Sequence, residues 1–401
     1  MPVPPESASS DLVEVAAPVV RPGEWPSAFA GQESDRDALL VLSHLEGLTP
    51  RDFHQLARRE GSARACLRAV ERGLAGSDLD RRRVSAVDVA EVHGTLRRTG
   101  AGLVAPGDER YPEAALELPD PPAWLFVRGE TFPPELRMAV AIVGARGCSP
   151  YGREVAELMG AGLAAAGVTV ISGAARGIDG AAHRGALTAK GSTVAILGSG
   201  IDVPYPPEHE DLLEAIARSG AVVSEYPPGL RAHPRRFPAR NRLVAALARA
   251  VVVVEGAPGS GSLITAGLAE DLHRDLLAVP GPVTSELSAA PHELIRDGAG
   301  LVRDAGDVLA AIDLAPRRSS RHGPSSSEPA EGGPGPPVPS DLPAPERAAL
   351  DALTGTGQVV DQVAAAAGLG PSEALRALVS LELRGLVEVS GGRYRRVAQV
   401  R

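Results

Sequence analysis

The chain has 401 residues, enough for two or three domains and at least one full-sized core. Its formal charge of −9 excludes a protein that coats nucleic acid with its whole surface and leaves room for a local basic groove. Two cysteines far apart, Cys66 and Cys148, exclude a disulfide framework or zinc knuckle, and no apolar run approaches membrane-spanning length.

Residues 1–34 are rich in Pro, Ser and acids and are expected to form a disordered tail. The segment lacks the basic region and apolar core of a signal peptide, so a cytoplasmic chain is expected. Residues 35–104 read as a helical module: DALLVLSHLEGL, PRDFHQLARREG and SARACLRAVERGLAG follow one another with helical spacing. The break at Gly47-Leu48-Thr49 carries threonine where a helix-hairpin-helix would have its second glycine. A SAM-like packing module and a DNA-contacting hairpin both remain open there.

Residues 105–313 change rhythm. Apolar runs at 139–143, 168–172, 193–197, 221–224, 251–254 and 276–279 alternate with amphipathic segments. Continuous apolar strands with helical crossovers predict an α/β domain whose parallel sheet is covered on both faces.

Three glycine-rich turns follow these strands. Gly144 to Gly152, GARGCSPYG, lacks G-x-G-x-x-G spacing, and the next strand ends at Ser172 rather than at the acid a dinucleotide ribose needs. VISGAARGIDG (170–180) reads as strand, turn and helix start. Backbone N–H groups at Ser172, Gly173 and Gly177 form a phosphate cradle there, with Arg176 beside it. Asp179 suits a helix cap, and His183, one turn on, suits packing or hydrogen bonding. The third turn, Gly256-Ala-Pro-Gly-Ser-Gly-Ser262, is one residue short of a P-loop and lacks its lysine. Its N–H groups and the hydroxyls of Ser260, Ser262 and Thr265 can still hold one phosphate. No cofactor or metal is expected.

Between the second and third turns, RAHPRRFPARNR (231–242) carries five arginines, no acid and one aromatic, Phe237. Cations that follow a backbone and a ring that stacks a base suit single-stranded nucleic acid. A solvated basic loop is the plain alternative, since Lys190 is the only lysine and arginine is favoured throughout. Residues 314–344 form a Pro/Gly/Ser linker. Residues 345–401 pattern as helix, helix-turn-helix and a Gly-Gly hairpin, a winged helix. Its Arg376, Arg393, Arg395 and Arg396 suit phosphate contact or protein contact equally.

In order and spacing, IVGAR (142–146), SPYG (149–152), VISGAARGIDGAAHRGAL (170–187), LGSGIDVPYPPEH (197–209), SEYPPG (224–229), FPARNRLVAALA (237–248) and VVVVEGAPGSGSLITA (251–266) resemble the DprA/Smf family of bacterial DNA-processing proteins. The resemblance implies an extended Rossmann-like fold flanked by an N-terminal helical module and a C-terminal winged helix. It further implies binding of single-stranded DNA without catalysis during natural transformation. The implied partners are the RecA recombinase, loaded past single-strand-binding protein, and a second copy of the chain docked through the Rossmann domain. The family's DNA pocket maps onto Arg146, Ser172, Gly173, Arg176, Gly177 and the loop from Phe237 through Arg240, Asn241 and Arg242. Ala145 stands where the family has serine, and Gly259 where it often has arginine.

Two other classes compete. One is a nucleotide-hydrolysing enzyme of the phosphoribohydrolase-like Rossmann superfamily, whose catalytic glutamate after Pro-Gly-Gly-x-Gly-Thr has no counterpart here. The other is a regulator whose winged helix reads duplex DNA.

Overall fold

The computed structural model describes residues 25–26, 29–129, 138–312, 342–353, 358–383, 386–390 and 393–396. Most of the expected tail and linker lie outside these residues. The chain divides into two compact units, 1–319 and 320–401.

Among the described residues of the first unit, nine strands form one sheet: β1 (Ala101–Val104), β2 (Leu125–Arg128), β3 (Ala139–Val143), β4 (Thr169–Ser172), β5 (Thr193–Leu197), β6 (Ala221–Ser224), β7 (Ala250–Val253), β8 (Asp275–Ala278) and β9 (Gly300–Leu301). Their spatial order is β1-β2-β6-β5-β4-β3-β7-β8-β9. From β3 to β9 all pairings are parallel, while β2 runs antiparallel to both β6 and β1. The six apolar runs expected from sequence are the strands β3 to β8. β1, β2 and β9 lie outside those runs; β1 and β9 are partly or wholly exposed, so they lack the unbroken apolar pattern of a strand buried on both faces.

Among the described residues twelve helices accompany the sheet. They are α1 (Glu33–Ser43), α2 (Pro50–Glu60), α3 (Ala63–Glu71), α4 (Asp78–Val84), α5 (Val89–Thr99), α6 (Pro150–Ala165), α7 (Ile178–Thr188), α8 (Glu210–Ser219), α9 (Arg236–Ala246), α10 (Gly261–Asp271), α11 (Ala289–Arg296) and α12 (Ala305–Ala311). Alternate strand residues feed opposite layers. Val140 and Ile142 pack with Met159 of α6, Ala182 of α7 and Val308 of α12. Ala139, Ala141 and Val143 join Leu243 and Leu247 beside Ala266 of α10.

That second layer also contains Phe29, Leu39, Leu42 and Phe53, so the N-terminal helices and the sheet share one core. Thr49 is the N-cap of α2, in a capping box with Asp52 and with Pro50 behind it. The backbone N–H groups of Glu46 and Gly47 donate to the Asp80 carboxylate at 3.0 and 3.1 Å. The donors a phosphate would need at this break are therefore already engaged.

The strand order reverses at β3. The chain moves outward through β4, β5 and β6, then returns by α9 to place β7 on the other side of β3. Open parallel sheets bind ligands at such a switch point, beyond the carboxyl ends of the strands.

The second unit holds α13 (Ala344–Ala352), α14 (Val360–Ala367), α15 (Pro371–Leu383) and the antiparallel pair β10 (Val387–Ser390) and β11 (Arg393–Arg396). Leu350, Val363, Leu378, Leu381 and Tyr394 form its core. Arg376 is exposed on α15, and Arg396 lies 3.9 Å from Asp351. The hairpin turn and the side chains of Arg393 and Arg395 lie outside the described residues.

Candidate nucleic-acid interface

At the switch point a cleft of about 450 Å³ opens among the turns after β3, β4 and β7 and one face of α9. Arg146 comes from the first turn, Gly173 from the second, and Ser260, Ser262 and Thr265 from the third. Phe237, Arg240 and Asn241 come from α9. The stretch from Phe237 to Arg242, expected as a loop, is helical because α9 starts at Arg236. Pro238 is tolerated there, since first-turn N–H groups have no intrahelical partner to lose.

Arg240 is the buried cation of the cleft. Its Nη1 donates to the carbonyl of Ile196, and its Nε has no partner. Burial pushes its pKa down to about 10, opposed by the neighbouring Asp179, so the group stays charged at neutral pH. A Cβ on Gly173 would collide with this guanidinium, which explains the glycine at that position. Burial also raises the Asp179 carboxyl, and Arg240 counters the shift. Asp179 accepts from the Ala175 N–H at 3.3 Å, tying the preceding turn together, whereas Gly177 is the N-cap of α7 and no side chain caps it. The expected helix-capping role of Asp179 is thus replaced by a turn tie.

Above this floor, the Arg146 guanidinium sits 4.8 Å from the centroid of Phe237, and Tyr205 packs against the same ring at 5.0 Å. Arg146 is exposed and has no ion-pair partner among the described residues. On the opposite wall, the hydroxyls of Ser260 and Ser262 bond each other at 2.6 Å at the start of α10. Glu255, two residues past β7, ties the turn after β7 to the turn after β3: its carbonyl accepts from Ala145 N–H, and its carboxylate accepts from Ser149 N–H at 2.9 Å and Ser149 Oγ at 2.5 Å.

Four residues expected at the site do not line this cleft. Ser172 is fully buried and donates to the Ile142 carbonyl at 2.6 Å, so it braces β4 against β3. Gly177 is packed beneath the Ala145 and Arg146 carbonyls with φ of 74°. Arg176 is exposed but paired with Glu208. Arg242 projects from the other side of α9, where Asp120 holds it at 3.0 Å and Glu225 at 2.7 Å. Sequence reading passed over Tyr205, although an aromatic in the loop after a central strand was an available signal. His183 is fully buried against Thr193 Oγ1 at 2.7 Å, and burial lowers its pKa to about 3.

Among the described residues no helix is long and apolar enough to cross a membrane. A family profile described as DNA recombination-mediator protein A matches residues 102–313, and one described as DprA winged helix domain matches 333–393. The chain is 41% identical over 345 residues to a putative DNA processing protein DprA of Mycobacterium tuberculosis, covering 81% of this chain and 85% of that one. It is 37% identical over 319 residues to protein Smf of Escherichia coli, covering 76% and 81%. The X-ray structure of DNA processing protein A from Streptococcus pneumoniae superposes with a TM-score of 0.54 at 34% identity, covering 69% of this chain and 92% of that one.

Proposed function

This chain belongs to the DNA recombination-mediator protein A family, the DprA/Smf proteins, and from that premise we propose that its cleft binds single-stranded DNA. The protein then protects the strand and hands it to RecA past single-strand-binding protein, working in the cytoplasm as a homodimer joined through its Rossmann domain. The observation that carries the reading is the Arg146–Phe237–Tyr205 stack standing over Arg240 and opposite the Ser260–Ser262 turn. Cations meet the backbone, aromatic faces meet bases, and hydroxyls with turn N–H groups meet one phosphate.

A salt titration comparing single-stranded with duplex oligonucleotides tests this. Single strands should bind more tightly, with log K falling linearly in log salt. Equal affinity for duplex would move the function to the winged helix. RecA loading is read separately, as faster RecA filament growth on strands coated with single-strand-binding protein, and dimerisation by light scattering.

One observation favours the enzyme reading: Asp179 is a carboxyl in the cleft whose pKa burial raises. Its hydrogen bond from Ala175 and the charge of Arg240 assign it to holding the turn. Incubation with AMP should therefore release no adenine, and release would establish the hydrolase.

A further inference from the structure

Helix α9 also lines a cavity with its other face. Arg236, Ala239 and Arg242 line this cavity, of about 700 Å³, on the side of α9 away from the cleft. Its remaining walls are Asp120, Trp124, the loop 225–230 after β6, and residues 43–46, 50, 83, 86 and 87 of the helical region. Tyr226 and Trp124 supply aromatic surface, with Pro227, Pro228 and Leu230 beside them.

The charges inside discriminate between ligands. Arg83, Arg236 and Arg242 balance Glu46, Asp120 and Glu225 in the lining, and Arg242 is held between Asp120 and Glu225, so the inner end of the cavity offers a phosphate no free cation. Arg242 Nη1 is nonetheless left without a partner. Positive charge returns towards the start of α9, where Arg236 lies 5.5 Å from the Tyr226 ring and Arg231 and Arg235 are exposed. A neutral planar ring fits such an interior, with its phosphates left outside among the arginines. The two cavities are also continuous along the chain: the first turn of α9 sends Phe237 into the cleft and Arg236 into this second cavity.

We propose that this cavity is a second base-binding site for the same single strand, receiving a nucleobase further along than the one in the cleft. The backbone crosses the start of α9 over Arg231 and Arg235, and the base stacks on Tyr226. This rests on the single-strand reading above and extends it from one cavity to two.

The test uses the full chain and oligothymidines of about 4 and about 16 nucleotides, near the limits of common single-strand site sizes. Ala239→Trp and Ala86→Trp fill the cavity from opposite walls without touching the cleft. Each should weaken binding of the long oligomer about tenfold or more and leave the short one unchanged. In the unaltered protein, a long oligomer carrying 5-iodouracil should photo-crosslink to Tyr226 or Trp124, and Ala239→Trp should abolish that adduct. Crosslinks confined to Tyr205 and Phe237, with both variants binding the long oligomer normally, overturn the second site and leave the cleft intact. No binding of either oligomer by the unaltered protein overturns the single-strand reading itself.

Discussion

The turn after β4, SGAARGID, and the turn after β7, EGAPGSGS, both open onto the cleft with similar composition, but their glycines meet different surroundings. A side chain at Gly173 would strike Arg240, and one at Gly177 would strike the Ala145 carbonyl. In the turn after β7, Gly256 is packed against the Ser260 and Ser262 hydroxyls, whereas a Cβ at Gly259 or Gly261 meets nothing within 4 Å. The first turn is a packed frame that fixes Arg240 and carries α7. The second is packed at Gly256 but open from Gly259 to Gly261, which leaves room for a ligand on that wall. Glycine-rich turns that look alike in sequence can thus serve packing in one place and access in another.

The sharpest way to break this contrast is Gly177→Ala. It adds a clash to a backbone at positive φ and should cost about 3 kcal/mol or more, seen as a large fall in melting temperature. A neutral outcome would mean the turn after β4 is not a frame.

The next effect is one of pH. His183 on α7 is fully buried with its pKa lowered to about 3 from 6.5. The unfolded chain therefore binds the extra proton first, and stability present above pH 6.5 is lost as pH falls towards 3. Between pH 6.5 and 5 the loss should be roughly 2 kcal/mol, measured by denaturant titration, and His183→Gln should flatten it.

Cleft variants should separate charge from stacking. Arg146→Ala should weaken single-strand binding by about 1 kcal/mol for every sequence and lower the salt slope by about 0.7. Phe237→Ala should cost a similar roughly 1–2 kcal/mol with an unchanged slope. Identical slopes for both variants would remove the division of labour in the cleft.

The smallest effect is expected at the open wall. Gly261→Ala should change stability by less than about 0.5 kcal/mol, so only oligonucleotide affinity should respond to it.

Most of the sheet was legible because β3 to β7 are buried on both faces and read as unbroken apolar runs. The site was legible as a neighbourhood rather than residue by residue. RAHPRRFPARNR looked like one basic loop, yet from Arg236 it is a helix. At about 100° per residue, positions two apart point to opposite sides, so Arg240 enters the cleft and Arg242 leaves it. Ser172 followed the same logic on a strand: its place beside Gly173 suggested a ligand, while its hydroxyl is used internally by the Ile142 carbonyl.

The sequence by itself determined the parallel α/β core, the three glycine turns, the terminal helical and winged-helix patterns and the family resemblance, because local periodicity and motif spacing encode them. Only the tertiary structure decided which arginines are paired, which hydroxyls are consumed by carbonyls, and that α9 divides two cavities. Those outcomes depend on which side chains distant strands and helices bring within a few ångströms, and a linear pattern does not record that.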